Sequence, residues 1–465
     1  MIFVLEEKIR VILPDDRLTK YLHKELQVAN PEYAKKKRMG FWTGRTPQVL
    51  TLWEKVGDEI HIPYGCKEDL QRMFPDGKDV WLDGLPDEDH ICFYKNVPLY
   101  DYQEKAVAEM LPHDCGILQA PAGSGKTQMG LSIVGRCSRR ALWLTHTKDL
   151  LNQSRDRAKR YWPEGTLGTI TEGKVDIGSN ITFATIQTMC RLDLRQYRDV
   201  WDVIVVDECH RVAGSPTAVT QFSKVLNSLR ARRKYGLSAT VHRADGLIRC
   251  TYALLGPVQA IVPKSAVEKT VMPVTIRPVG TGVTLSRDCI GPDGMIIYQK
   301  LIKSLTENAE RNCLIVADII GQAGLGHSCL VLSDRVRHLQ ALRNSLPEDL
   351  KKISAVIDGG MVTKVQKQER VDAIEEMRTG EKRILFATYA LAKEGLDIPR
   401  LDRLFLVTPQ KDFAVITQAI GRIARRFDGK ETAIAYDYVD SIQSLVKAYK
   451  RRMTTYRKQE CVIEE

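Results

Sequence analysis

The chain has 465 residues, and 69 lysines and arginines against 58 aspartates and glutamates leave a formal net charge of +11. That length allows about three domains, and 43% hydrophobic residues excludes a disordered chain. The positive balance favours a polyanionic partner over a neutral one.

The 11 cysteines form no C-x-x-C pair, which counts against a zinc site or a disulfide framework and favours buried free thiols in a reducing compartment. Residues 1–10, MIFVLEEKIR, place their charges after the apolar residues, the wrong order for a secretory signal. No apolar run approaches the length of a membrane span. The expectation is a soluble protein of the cytoplasm.

In chain order, residues 1–98 read as a small α+β module. Ile9, Val11 and Leu13 alternate as in a strand, and Leu18, Leu22 and Leu26 follow at helical spacing behind Asp15 and Asp16. The runs 49–56 and 59–64 flank Gly57-Asp58, a two-residue hairpin signal. Within this module, residues 35–45 (KKKRMGFWTGR) set Lys35, Lys36, Lys37 and Arg38 beside Phe41 and Trp42. Such a cluster suits phosphate contacts joined to base stacking, and equally a solvated basic loop whose aromatics cap a local core.

Residues 99–260 alternate strands and helices as in a parallel α/β sheet, with strands expected at 141–145, 181–184, 203–206 and 234–237. Residues 261–300, rich in Pro, Gly, Val and Thr, read as an irregular linker with some β structure. Residues 301–465 return to α/β, with strands expected at 328–332, 353–357, 383–387, 403–407 and 432–436 and a basic helix after Asp440. The expected fold class is α/β, two tandem parallel-sheet lobes behind a small α+β domain.

The chemistry gathers at residues 117–129, ILQAPAGSGKTQM. An apolar strand breaks into Pro121, Ala122, Gly123, Ser124 and Gly125, then enters a helix. Backbone N–H groups of such a loop point at phosphate oxygens, and the helix end adds partial positive charge. Lys126 is placed to reach the β- and γ-phosphates, and the Thr127 hydroxyl to hold Mg²⁺. Ala120 stands where the strict pattern has Gly. Downstream, the apolar strand 203–206 ends in Asp207-Glu208-Cys209-His210. A carboxylate there sits beside the phosphate loop in this fold class, so Asp207 can hold Mg²⁺ and Glu208 can deprotonate the attacking water.

With these motifs the chain resembles the superfamily 2 helicases and translocases of the DExH type, over roughly residues 99–440. Residues 99–103 (LYDYQ) resemble the family's adenine-contacting element, with Gln103 reading the base. Residues 145–153 (THTKDLLNQ) and 183–188 (FATIQT) are similar to strand-contacting motifs of the first lobe. Ser238, Ala239 and Thr240 match the motif that couples hydrolysis to movement. In the second lobe, 330–339 (LVLSDRVRHL) resembles the fourth motif and 388–397 (TYALAKEGLD), with Gly395 and Asp397, the fifth. Residues 418–425 (QAIGRIAR) fit the sixth, which contributes Gln418 and implies that Arg422 and Arg425 are arginine fingers. A guanidinium fork suits charge developing on phosphoryl oxygens.

Within the superfamily the likeness is to the XPB and UvsW group of double-stranded-DNA motors. It rests on residues 237–240 followed by Arg243, Ala244 and Asp245, where XPB relatives carry Arg-Glu-Asp. The resemblance implies two RecA-like lobes, ATP and Mg²⁺ as cofactors, and ATP bound to the first lobe completed by arginines of the second. It also implies DNA (duplex, forked or branched, with RNA in hybrids) as partner, a monomer acting on it, and a bacterial or phage-infected cell as setting. The short polar side chains of Thr145, Thr185, Gln187, Ser333 and Thr388, with Lys148 and Arg335, are the candidate backbone contacts. Such groups hold phosphates without reading bases. The rival readings are an RNA helicase, the motor of a restriction or defence complex, and an ATP-gated clamp without turnover.

Overall fold

Residues 2–5 and 8–12 fold as two antiparallel strands, the first buried along Phe3, Val4 and Leu5 and the second burying Ile9 and Val11 on one face. The computed structural model describes the whole chain except residues 88–89, 92, 94–95, 122, 217, 240–245, 268–270, 293, 362, 394–395, 397 and 465. It divides into two units, Met1–Ala266 and Val267–Glu465. In the first, β1 (Ile2–Leu5), β2 (Lys8–Ile12), β3 (Gln27–Ala29), β4 (Val49–Thr51), β5 (Glu54–Val56), β6 (Glu59–Pro63) and β7 (Val80–Asp83) precede the larger sheet. Five of them form a sheet in the order β5-β6-β2-β1-β7, and β3 pairs with β4.

The hairpin signal at Gly57-Asp58 joins β5 to β6, with Val56 opposite Glu59 and Gly57 at φ +61°. The expected single strand over 49–56 is instead two strands in different sheets. Between them Leu52 is buried, and its N–H donates to Leu26 O at 2.9 Å. A core contact from a distant element breaks the run. Leu13, expected in the second strand, turns out of it at φ +55° and is exposed.

The second sheet of this unit comprises β8 (Cys115–Gln119), β9 (Ala141–Thr145), β10 (Leu167–Thr171), β11 (Lys174–Asp176), β12 (Ile181–Thr185), β13 (Val203–Asp207), β14 (Arg233–Ser238) and β15 (Val258–Ile261). Their order is β11-β10-β12-β9-β13-β14-β8-β15. β9, β12 and β13 are buried at every position, as a parallel sheet covered on both faces requires.

The small sheet is fused to the large one. Phe3, Ile9, Leu18, Ile62, Tyr64 and Phe74 share one core cluster with Cys115, Cys250 and Ala253. Gly65 lies so close to the end of the Ile248–Leu255 helix that a Cβ there would sit 2.5 Å from Gly256 N. The Glu7 carboxylate pairs with Arg198 and Arg230. The Lys234 ammonium, buried on β14, donates to Glu7 O at 3.1 Å and Leu226 O at 2.7 Å, and burial pushes its pKa down to about 8.

The second unit is one parallel sheet: β16 (Val274–Gly280), β17 (Cys329–Ser333), β18 (Ser354–Ile357), β19 (Ile384–Thr388), β20 (Arg403–Leu406), β21 (Ala433–Val439) and β22 (Val462–Ile463), in the order β18-β19-β17-β20-β21-β16-β22. β16 arises within 261–300 and pairs with β21 along seven residues, so part of that stretch is integral to the sheet. Both units carry a RecA-like parallel α/β layer. Arg452, on the Gln443–Lys458 helix, is buried and makes a two-pronged ion pair with Asp437 of β21 at 2.8 Å. Among the described residues no helix is long and apolar enough to cross a membrane.

Candidate nucleotide site and nucleic-acid surfaces

The register of the first unit's sheet decides what meets at its C-terminal edge. Asp207 of β13 lies opposite Leu237 of β14, and Ser238 lies opposite Gln119 of β8. Three adjacent strands therefore deliver Asp207, Ser238 and the loop after Gln119 to one place. The loop turns through Gly123 at φ +83° and Gly125 at φ +80°, and Gly125 caps the Lys126–Cys137 helix. Gly125 is also required for space: a Cβ there would meet Gln103 Nε2 at 2.4 Å. Lys126 Nζ sits 3.4 Å from Ala120 O and 3.5 Å from Pro121 O, over the concave side of the loop. Ser124 Oγ donates to Pro121 O at 2.7 Å and closes the turn.

Gln103, expected to read an adenine edge, is instead a brace in this conformation. It is 2% exposed, its Nε2 donates to Ser124 O at 2.8 Å, and its Oε1 accepts from Tyr100 N–H at 2.9 Å. The Tyr102 hydroxyl donates to the same Ser124 carbonyl at 3.1 Å, a support that sequence reading missed.

Burial, with the neighbouring Glu208 charge adding to it, raises the Asp207 carboxyl above the usual carboxylate range, while Lys126 and Arg157 pull it back. An acid held this way binds a proton readily until a cation replaces it. Glu208 occupies the left-handed region at φ 52°, ψ 49°. For a residue with a Cβ that costs about 1 kcal/mol, a strain typical of functional turns. His210 Nδ1 lies 3.2 Å from Glu208 Oε2 and 3.3 Å from Ser238 Oγ, joining the acidic motif to the coupling motif. The sequence put His210 in the motif without giving it this part.

In the second unit, Gln418 lies on the Phe413–Ile423 helix, and its Oε1 is buried with no hydrogen-bond partner among the described residues. Thr388 Oγ1, at the end of β19, is buried in the same condition. Such an atom costs about 1–3 kcal/mol until water or a ligand bonds to it. Arg422 Nε donates to Ala392 O at 3.0 Å. Arg425 forms an antiparallel bridge with Val271. Lys430, unremarked in the sequence, donates from Nζ to Leu401 O at 2.6 Å, Ile423 O at 2.5 Å and Arg425 O at 2.8 Å, pinning the segment that carries both arginines. Burial lowers its pKa to about 8.

Ala122, Thr240, Arg243, Asp245, Gly395 and Asp397 lie outside the described residues. Of the expected backbone contacts, several face inward. Thr145 is fully buried, with Oγ1 donating to Thr147 O at 3.1 Å, and Thr185 Oγ1 donates to Thr188 Oγ1 at 3.0 Å. Ser333 Oγ lies 3.2 Å from His338 Nδ1 and accepts from Arg335 N–H at 3.1 Å. Burial takes His338 down to about 3, so the ring is neutral. These hydroxyls fix strand ends rather than face outward. Gln187 Nε2 donates to His146 O at 2.7 Å, and Lys148 pairs with Glu172 at 2.6 Å. Arg335 is exposed. Lys35, Lys36, Lys37 and Arg38 lie on the Pro31–Arg38 helix, which buries no residue, and Lys36 pairs with Glu32 at 2.8 Å. Phe41 and Trp42 beyond it are 62% and 77% exposed, so they do not cap a core.

A nucleoside triphosphate fits these residues: the loop offers a helix N-terminus, two glycines at positive φ and an ammonium over its concave side. Comparison with known proteins agrees. The family model "Type III restriction enzyme, res subunit" matches residues 96–243, and "Helicase conserved C-terminal domain" matches 310–427. The putative ATP-dependent RNA helicase L396 of Acanthamoeba polyphaga mimivirus is 24% identical over 366 residues, 78% of this chain and 67% of that protein. The DNA 3'-5' translocase XPB2 of Sulfurisphaera tokodaii is 24% identical over 371 residues, 71% of this chain and 80% of the relative. The structure of S. cerevisiae Dbp5 bound to RNA and ADP BeF3 aligns at a TM-score of 0.56 and 16% identity, covering 79% of this chain and 90% of that one.

Two RecA-like lobes with this phosphate loop define a nucleic-acid-dependent ATPase. The chain belongs to the superfamily 2 helicases, and within them it is similar to XPB-type proteins.

Proposed function

We propose that this helicase is an ATP-dependent DNA translocase that remodels branched or duplex DNA, by fork regression, branch migration or the unwinding of R-loops and D-loops. The observation that carries the reading is the edge of the first sheet, where Lys126, a raised Asp207 and a strained Glu208 converge. The choice of DNA is supported by the similarity to a relative named as a DNA translocase.

Lys126 and the N–H groups from Gly123 to Thr127 would hold the phosphates, and Thr127 with Asp207 would hold Mg²⁺. Bound Mg²⁺ neutralises charge on the β- and γ-phosphate oxygens. Glu208 orients the attacking water and accepts its proton. Gln418, Arg422 and Arg425 supply polar and guanidinium groups to the transferring phosphoryl. Gly395 and Asp397 remain expected nucleotide contacts, and Ser238, Thr240, Arg243 and Asp245 expected coupling residues. Lys148, Gln187, Arg335 and Thr388 stand as backbone contacts, with Lys35 to Arg38 and Trp42 as an accessory surface. The motor acts as a monomer.

The test is ATPase stimulation by duplex DNA, forked DNA and single-stranded RNA, with wild type and Lys126→Ala side by side. Stimulation by DNA that vanishes in the variant is expected. Stimulation by RNA alone would instead support the second reading, an RNA helicase, which the relative named as such favours.

A further inference from the structure

The Gln443–Lys458 helix, QSLVKAYKRRMTTYRK, contains no acidic residue. One side of it is locked to the second unit's sheet. Leu445, Arg452, Thr455 and Tyr456 are buried, Arg452 grips Asp437, and the Tyr456 hydroxyl donates to Asp437 Oδ2 at 2.7 Å. At about 100° per residue, Lys447, Lys450, Arg451, Thr454, Arg457 and Lys458 fall together on the opposite side. All six are exposed. The five cations run about 16 Å along the helix at 1.5 Å per residue, and none enters an ion pair among the described residues.

A solvated face ordinarily mixes signs, because like charges at helical spacing repel by a few tenths of a kcal/mol per pair. Arg457 and Lys458 lie in the last turn, where they complement the helix dipole. Lys447, Lys450 and Arg451 lie further back and have no such explanation. Holding five like charges on a face that a buried ion pair keeps rigid is a design for a polyanion.

We infer that this stripe is a docking surface for the phosphate backbone of duplex DNA. It offers cations and a threonine hydroxyl but no exposed aromatic ring, so it grips phosphates without stacking on bases. In the first unit, by contrast, the Pro31–Arg38 helix is followed by exposed Phe41 and Trp42, which suit unpaired bases. The stripe therefore favours nucleic acid whose bases are already paired. The choice of DNA over RNA rests on the translocase reading above.

The experiment compares the full chain with Lys447→Gln/Lys450→Gln/Arg451→Gln, measuring binding to blunt duplex DNA, duplex RNA and single-stranded DNA from low to physiological salt. Three lost phosphate contacts should flatten the slope of log affinity against log salt by about 2.7 on duplex DNA. Duplex affinity at low salt should fall roughly tenfold or more, with single-strand affinity unchanged. Lys447→Arg/Lys450→Arg, which keeps the charge, should bind as wild type and control for folding. Duplex DNA binding equal in wild type and the glutamine variant overturns the stripe, as does an equal loss on single strands. A loss seen on duplex RNA alone overturns the assignment to DNA. Absence of DNA-stimulated ATPase in the wild type sinks the translocase reading separately.

Discussion

The phosphate loop of the first unit and two buried polar side chains of the second differ in how their atoms are satisfied. In the first unit the phosphate loop is already braced: Gln103, Tyr102 and Ser124 hydrogen-bond to its own carbonyls, and Lys126 rests over them. In the second, Gln418 Oε1 and Thr388 Oγ1 are buried with no hydrogen-bond partner among the described residues. The first edge is preorganised, so binding a triphosphate requires little rearrangement. The second carries an amide oxygen and a hydroxyl whose desolvation lowers stability until something else bonds to them.

That contrast can be broken by mutation. Lys126→Ala and Glu208→Gln should each lower nucleic-acid-stimulated ATPase about a thousandfold or more. Glu208→Gln should still bind nucleotide in a fluorescent-analogue titration; loss of binding there would mean Glu208 shapes the loop instead. Gln418→Met should cut stimulated turnover roughly a hundredfold while leaving the melting temperature unchanged or slightly higher, because it removes an oxygen with no partner among the described residues. A clear drop in melting temperature would show that Gln418 is structural. Gln103→Ala should do the reverse, costing about 1–3 kcal/mol in chemical denaturation by removing the partner of Tyr100 N–H and leaving Ser124 O only the Tyr102 hydroxyl, and raising KM for ATP more than it lowers kcat.

The smallest effect concerns a device both units share, a buried ammonium capped by carbonyls. Lys234 and Lys430 each have a pKa lowered to about 8. Between pH about 8 and the lysine value of the unfolded chain, about 10.4, the unfolded state holds more protons. Stability contributed at these sites therefore rises with pH across that window. Urea midpoints of wild type relative to Lys234→Met or Lys430→Met should move in favour of wild type from pH 8 to 10. A flat difference would show that water reaches the ammonium.

The sequence was most legible where the fold buries a strand on both faces. The apolar runs at 141–145 and 203–206 became β9 and β13 because a parallel sheet leaves their residues no polar side to face. The phosphate loop was legible too, since its glycines and lysine are a local requirement. Long-range partners were not. Nothing near residue 52 announces that Leu26 will take its N–H, and nothing in residues 99–103 tells whether a glutamine faces a base or Ser124. Thr145 and Ser333 have the residue types of phosphate contacts, yet strand geometry turns both hydroxyls inward.

The continuous core that runs from Phe3 through Tyr64 to Cys115 and Ala253 has a mechanical corollary. Close-packed interiors barely compress, so whatever displaces β8 or the Ile248–Leu255 helix displaces β1, β2 and β6 with it. Cutting away β1 to β7 would therefore strip the larger sheet of a packed wall rather than detach a passenger.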